Sequence, residues 1–175
     1  EREDPYTALD PDRPVTFGPY MNDPDLINNK VQQHEAMEAA RRVIPEIFAE
    51  FYEFSGRDYR SVDAYRMDDA EVALVLLNSA AENAKEVVDQ LRAEGHKVGI
   101  VSPHVLRPFP TDEIRRIFKN VRAAVVGDRG DSYGAEGGNM SLEVRAALQQ
   151  DPDNKTLVMS RVYGLGGKDF YDADA

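Results

Sequence analysis

The sequence predicts an α/β fold of three layers, in which a mainly parallel sheet is flanked by helices. Residues 72–77 form an unbroken apolar run, typical of a strand that is covered on both faces. A helical apolar stripe follows over residues 84–91, and Gly95 stands where that helix should end. A second apolar run, residues 97–101, then predicts a strand that returns parallel to the first through a right-handed crossover.

Two segments precede this α/β unit. Residues 1–30 contain five closely spaced prolines and predict an extended arm, which either lies on a neighbouring domain or subunit or serves as a flexible linker. Residues 31–66 predict a long amphipathic helix, followed by a turn and an edge strand. Pro45 lies inside that helix, so we expect a kink there or a division into two shorter helices.

The α/β core is expected over residues 67–168. Further buried strands are predicted at residues 123–126 and 156–160, with near-complete burial of the central strands on both faces. Ser79, with Glu82 three positions later, predicts a capping box, and Thr111 predicts the N-cap of the next helix. Residues 169–175 form an acidic tail that is expected to fray unless a partner holds it.

Composition excludes several classes of function. The chain of 175 residues has no cysteine, which excludes disulfides, thiolate metal sites, cysteine nucleophiles and any iron–sulfur cluster held by this chain. Its net charge of -11 argues against nucleic-acid binding and is common in cytosolic proteins, so we expect a cytoplasmic protein. No apolar stretch has the length of a membrane span. Because the first residue is Glu1, we expect a piece of a longer polypeptide.

Three loops follow strand ends, at residues 78–81, 103–110 and 128–139, and should meet at one edge of the sheet. The glycine-rich loop before the last helix could bind an anion on its backbone amides or pack tightly against another subunit. It matches neither the dinucleotide-binding motif nor the P-loop. The candidate interface or anion-binding residues of this edge are His104, Arg107, Arg129, Ser132, Tyr133, Gly137 and Gly138.

The residue pattern contains no self-contained catalytic set. The three histidines share no metal-ligand spacing. Asp68 and Asp69 are adjacent, so in an extended chain their side chains point to opposite faces. Ser132 has neither a nucleophile-elbow context nor a placed histidine. We therefore predict no catalytic residue and no metal site in this chain.

Four separated stretches carry a resemblance to a known family. They are YRMDDAEVALV at residues 65–75, VLRPFP at 105–110, GDRGDSYGAEGG at 127–138 and GLGGKD at 164–169. Together with matches near residues 9–15 and 32–37, they resemble the alpha subunit of pyruvate:ferredoxin oxidoreductase, or pyruvate synthase. The resemblance covers nearly the whole chain and is to the carboxyl-terminal half of that subunit, core domain II, which implies a transketolase C-terminal-like fold.

The resemblance also implies a function. In such complexes thiamine diphosphate, with magnesium, decarboxylates a 2-oxoacid, iron–sulfur clusters carry electrons to ferredoxin, and coenzyme A accepts the acyl group. The family holds the thiamine cofactor and the clusters in other domains and subunits. It follows that this chain should be a non-catalytic assembly domain, inactive alone, in an oxidoreductase complex whose 2-oxoacid is pyruvate. The alternative is a free-standing, flavodoxin-like regulatory domain that binds a nucleotide or another small ligand.

Overall fold

The computed structural model describes residues 11, 12, 14 and 21–174. Its helices are α1 (Asp25–Ser55), α2 (Asn78–Ala93), α3 (Thr111–Ile117) and α4 (Asn139–Gln149). Its strands are β1 (Val62–Tyr65), β2 (Val72–Val75), β3 (Val98–Pro103), β4 (Ala123–Asp128) and β5 (Leu157–Val162). Most of the predicted N-terminal arm lies outside the described residues, and Asp25 already belongs to α1. The chain divides into two compact units between Met37 and Glu38.

The five strands form one sheet in the order β1-β3-β2-β4-β5. Strand β1 lies at the edge, where the sequence predicts an edge strand, and it runs antiparallel to β3; the other neighbouring strands are parallel. Helix α2 leads from β2 to β3 on one side, whereas α3 leads back past β2 to β4 on the other side. The chain therefore reverses its winding between β2 and β4, which is where open α/β sheets bind ligands.

Helices cover the two faces of the sheet unequally. On one face α3 and α4 bury alternate strand residues, among them Val75 and Val126, together with the fully buried Phe118 and Ile114. On the other face α2 packs, through Ala84 and Val88, against Leu76 and Ile100, and Tyr163 and Phe170 pack against the same cluster. The predicted three-layer, mainly parallel architecture is therefore confirmed.

The expectation that the central strands are almost fully buried on both faces is wrong. Leu74 and Val125 are only half-buried, and on the edge strand β5 Leu157 is 63% exposed. The reason is that α2 packs over β2 and β3 and does not reach across β4 and β5. A sheet of this kind needs a helix on each face along its whole width to exclude water.

Three local predictions about helices are also corrected. Helix α1 continues without division through Pro45, since the proline removes one backbone donor from a helix whose turns are solvated. Ser79 is not an N-cap, because α2 begins at Asn78 after Leu77 and has no side-chain cap. Thr111 is the first helical residue of α3 and is preceded by Pro110, again without a side-chain cap. Boundary shifts of one residue decide which side chain can cap.

The acidic tail packs against the rest of its own chain. The Phe170 and Tyr163 rings lie 4.9 Å apart between centroids, and both contact the cluster under α2. Lys168 Nζ lies 3.7 Å from Asp174 Oδ1, and the Tyr171 amide donates a hydrogen bond to Asp174. The described part of the tail is therefore held without a partner chain.

Candidate functional site

The start of α4 already binds a carboxylate from its own chain. Asp128, the last residue of β4, is buried, and its Oδ1 accepts a hydrogen bond from the Met140 amide at 2.7 Å. Its Oδ2 accepts one from the Ser141 amide at 3.2 Å. A carboxylate at a helix N-terminus accepts hydrogen bonds from unpaired amides and interacts favourably with the helix dipole. The Asp128 carboxylate therefore already occupies the anion-binding position at the start of α4.

The glycines before α4 allow that carboxylate to approach. A Cβ atom on Gly138 would overlap the carboxyl group of Asp128. Gly137 has φ of +136°, a backbone conformation that side chains rarely allow, and a Cβ there would overlap Ser141 Oγ. The Gly138 amide donates to Ser160 Oγ at 3.1 Å, which ties the loop to β5. The two glycines thus serve close packing within the chain.

A cavity of about 530 Å³ opens at the carboxyl ends of β2 and β4, at the reversal of winding. It is lined by the start of α2 at residues 77–80 and Asn83, the end of β4 at residues 127–129, Tyr163, and residues 168–171. Asn78 has φ of +54°, in the left-handed region, which asparagine tolerates better than most residues. This is the position at which the fold favours a ligand or partner group.

The charges around the cavity are mixed, and each of its two cations makes a long contact. Arg129 Nη2 donates a hydrogen bond of 3.4 Å to the Gly164 carbonyl, and Lys168 Nζ lies 3.7 Å from Asp174 Oδ1. The Asp128 carboxylate is turned toward α4. Burial raises the pKa of the Tyr163 phenol, with Arg129 opposing and Asp128 adding to that rise. The cavity therefore presents a neutral phenol beside two cationic side chains.

The structure does not bring the predicted edge residues together. Only Arg129 lines the cavity. Ser132 donates a hydrogen bond to Asn139 at the start of α4, and Tyr133 is 97% exposed. Arg107 forms an ion pair with Glu143 of α4 and has no place beside Arg129. Arg107 and Arg129 therefore do not line a common cavity, and Lys168 is the cation that accompanies Arg129.

His104 lies at a different place, beside the edge strand β1. Its Nδ1 is 3.2 Å from the Arg60 carbonyl oxygen, and its ring meets the Tyr59 ring edge-on with 6.4 Å between centroids. It helps to line a cleft of about 860 Å³ between residues 45–53 of α1 and residues 58–64 around β1. These contacts give His104 a packing role at that cleft.

Sequence reasoning missed Lys168, Tyr163 and the tail aromatics of the cavity. Lys168 follows the run Gly164-Leu165-Gly166-Gly167 and is the last residue of the predicted α/β core. Tyr163 lies before that run and Phe170 lies after it, and their rings pack together in the structure. Two aromatic residues that flank a glycine-rich turn are the sequence feature that could have indicated that the chain folds back here.

Within residues 11, 12, 14 and 21–174, no three His, Cys, Asp or Glu side chains are grouped so that they could hold a metal ion. Over that same part of the chain, no helix combines the length and the apolar character that crossing a membrane requires.

Comparison with known proteins identifies the relatives of the chain. Residues 70–175 match the family model described as pyruvate:ferredoxin oxidoreductase core domain II. The chain is 42% identical, over 94% of its length and 41% of the other protein, to the pyruvate synthase subunit PorA of Thermotoga maritima. It is 33% identical, over 94% of its length and 42% of the other protein, to the ketoisovalerate oxidoreductase subunit VorA of Pyrococcus horikoshii.

A solved structure shares the fold. It is a 2-oxoglutarate:ferredoxin oxidoreductase from Magnetococcus marinus with 2-oxoglutarate, coenzyme A and succinyl-CoA bound. The TM-score is 0.53 at 20% identity, over 80% of this chain and 21% of that one. The chain spans about two fifths of the length of the curated relatives it matches. The resemblance inferred from the four sequence stretches is confirmed.

Proposed function

Because the chain belongs to the pyruvate:ferredoxin oxidoreductase core domain II family, we propose that it is an assembly domain of a cytoplasmic 2-oxoacid:ferredoxin oxidoreductase. The whole complex would decarboxylate a 2-oxoacid, pass two electrons to ferredoxin and transfer the acyl group to coenzyme A. In this proposal the chain supplies surfaces that hold other domains and subunits in place, and it supplies no catalytic residue.

The observation that supports this role is the incomplete covering of the sheet. On the α2 face, β4 and β5 present half-buried Val125 and Met159 and exposed Leu157, while the opposite face is closed by α3 and α4. An apolar sheet face that a domain does not cover itself is typical of a surface that packs against another domain. The relatives, with more than twice the length of this chain, have the additional polypeptide to do so.

The chain's own residues do not fit the cofactors of the proposed complex. It has no cysteine to ligate an iron–sulfur cluster. Thiamine diphosphate is bound through magnesium, and among the described residues no three His, Cys, Asp or Glu side chains are grouped so that they could hold a metal ion. We therefore assign thiamine diphosphate, magnesium and the clusters to other domains and subunits.

We propose pyruvate as the 2-oxoacid, because the PorA relative is more similar than the VorA relative, at 42% against 33% identity. Both relatives nevertheless match nearly the whole chain. A domain that is shared by proteins named for different 2-oxoacids is a poor place to select between them. We therefore place substrate selection in the part of the complex outside this chain.

We propose that the cavity beside Arg129 and Lys168 binds an anionic group when the complex assembles. Arg129 and Lys168 line it beside a neutral phenol, and of its two aspartates Asp128 is bound by the α4 amides, which leaves Asp169 as the acidic group of the lining. A carboxylate of a neighbouring domain is our preferred occupant, and an anionic group of coenzyme A is the second. The alternative function, a free-standing domain that binds a nucleotide, would use the same cavity because it lies at the reversal of winding.

The experiment compares the isolated 175-residue chain with the full-length subunit purified together with its partner subunits. We expect the complex to reduce a viologen dye with pyruvate and coenzyme A, and the isolated chain to show no turnover. A full-length subunit that lacks residues 38–174 should fail to assemble. Turnover by the isolated chain, or an active complex without this segment, would refute the proposal. Binding of a nucleotide by the isolated chain would favour the alternative.

A further inference from the structure

The second half of α1 carries a row of apolar side chains that its own chain leaves exposed. This apolar stripe consists of Val43, Ile47, Phe51 and Phe54, with exposed fractions from 38% for Phe51 to 88% for Phe54. The spacing of four, four and three places the four side chains within an arc of about 80° of the helix. A continuous apolar row of this kind on an exposed helix indicates a protein-binding surface.

The helix is attached to the domain by other residues, which leaves the stripe accessible. Arg41 Nη1 donates a hydrogen bond to the Phe109 carbonyl at 2.9 Å, and the Phe48 and Tyr59 rings have centroids 6.4 Å apart. Ile44 is half-buried on the same side. These contacts hold residues 38–55 against the domain, and within the stripe the Phe51 ring joins them, with 5.6 Å between its centroid and that of Tyr59. The stripe is therefore a fixed surface and not a frayed end.

An acidic row runs beside the stripe. It consists of Glu46, Glu50 and Glu53, all exposed, and none of them forms an ion pair with a described residue. Their spacing of four and three puts them on one line along the helix, next to the stripe. A complementary surface would combine an apolar groove with lysine or arginine side chains along one rim.

We propose that the apolar stripe and the acidic row of α1 together dock into an apolar groove with a basic rim on another domain or subunit of the oxidoreductase. This inference rests on the proposed function and names the surface and the partner chemistry that would perform it. Docking of an amphipathic helix into a groove uses side chains spaced as these are.

Two observations favour such a partner over a second copy of the chain. A second copy would bring its own acidic row and its own charge of -11 to the contact, which like charges disfavour. The stripe, from residue 43 to 54, is also only about 18 Å long, so a pair of such helices alone would bury less area than a standard stable interface. The alignment with PorA covers 94% of the chain and so takes in α1, although the family model begins only at residue 70.

The test uses the full-length subunit with its partner subunits, and places the same new residue on and off the stripe. Ile47→Glu puts a charge in the centre of the stripe. We therefore expect the dissociation constant of the subunit complex, measured by sedimentation velocity, to rise at least about tenfold over the wild type. Arg42→Glu is the matched control: Arg42 is exposed and lies one turn before Glu46, in line with the acidic row and off the stripe, where a further negative charge suits a basic rim, so it should not weaken assembly. Circular dichroism of both variants should match the wild type.

A second variant tests the rim separately from the stripe. Glu50→Lys should weaken assembly severalfold at low salt, and the difference from the wild type should shrink at high salt, because screening acts on exposed charges. The effect of Ile47→Glu should persist at high salt, since it arises from burying a charge in an apolar contact.

The outcomes separate this inference from the proposed function. An active wild-type complex in which Ile47→Glu assembles as tightly as Arg42→Glu would overturn the docking surface and leave the assembly role intact. If instead the isolated chain dimerises and Ile47→Glu abolishes the dimer, the occupant is a second copy and the partner assignment is overturned. A wild-type complex that reduces no viologen with any 2-oxoacid and coenzyme A would refute the proposed function itself.

Discussion

Two helices begin at the same edge of the sheet, and their N-termini differ in what they face. The first amides of α4 donate to the buried carboxylate of Asp128, whereas α2 begins at Asn78 with no side-chain cap and faces the cavity that holds Arg129 and Lys168. We call the N-terminus of α4, whose amides bind Asp128, the filled start, and the N-terminus of α2, which faces the cavity, the open start. The glycine-rich loop precedes the filled start. A loop of this composition therefore cannot be assigned to a ligand until the group that its amides already bind is known.

The difference arises from adjacent residues at the end of β4. Asp128 faces α4, and Arg129, the next residue, lines the cavity at the start of α2. Successive side chains of an extended chain point to opposite faces, so one strand end delivers a carboxylate to one helix and a cation to the other. The filled start is expected to matter for stability, and the open start for assembly.

The largest effect on stability should come from the core beneath the open start of α2. Leu76 follows β2, is almost fully buried, and packs with Ala80 and Ala84 of α2. Leu76→Ala should lower the free energy of unfolding by about 2 to 5 kcal/mol, because it leaves a cavity in this cluster. Urea denaturation measures the loss. Leu157→Ala, at an exposed leucine of β5, is the control and should change stability by less than about 0.5 kcal/mol.

The next effect should come from the filled start of α4. Asp128→Ala removes the acceptor of two amides and leaves them buried without a partner, which should cost about 1 to 3 kcal/mol. The control is Asp131→Ala, an exposed aspartate of the same loop, with an expected change below about 0.5 kcal/mol. Equal stabilities of the two variants in thermal denaturation would contradict the role of Asp128 as the internal anion.

The parts of this fold that sequence predicted are those whose cause is local. Apolar runs bounded by polar residues predicted β2 to β5, and the periodicity over residues 84–91 predicted α2. Asp128 caps α4 from twelve positions upstream, so no capping box in the sequence could reveal it. The cavity brings Lys168 and Phe170 to the start of α2, and such a contact between distant segments leaves no periodic pattern.

At the open start, the effect should appear in assembly and not in stability. Arg129 is exposed, so Arg129→Ala should change the free energy of unfolding by less than about 0.5 kcal/mol. In the intact complex it should weaken subunit association or raise the coenzyme A concentration needed for half-maximal turnover. Arg122→Ala, an exposed arginine before the opposite end of β4, is the matched control and should leave both quantities unchanged. Wild-type assembly and turnover of the Arg129 variant would show that the cavity binds no partner group.

The smallest expected effect is a change in alkaline stability that reports on the cavity. Burial raises the pKa of Tyr163, with Arg129 opposing and Asp128 adding to the rise, so the folded chain holds the phenolic proton more tightly than the unfolded chain does. A group with a raised folded pKa contributes its stability below the unfolded value and loses it as the pH rises through the folded value. Stability should therefore fall from the ordinary tyrosine pKa, about 10, upward.

Tyr163→Phe removes this titration, so its stability should fall less steeply with pH in that alkaline window than that of the wild type. Arg129→Ala removes the opposing positive charge, and the tyrosinate absorbance of Tyr163, obtained as the difference between chains with and without that phenol, should then appear at still higher pH. The comparison links the two residues without any partner present. A Tyr163 titration that does not move when Arg129 is replaced would mean that the guanidinium does not act on the phenol, and the cation at the open start of α2 would then be Lys168 alone.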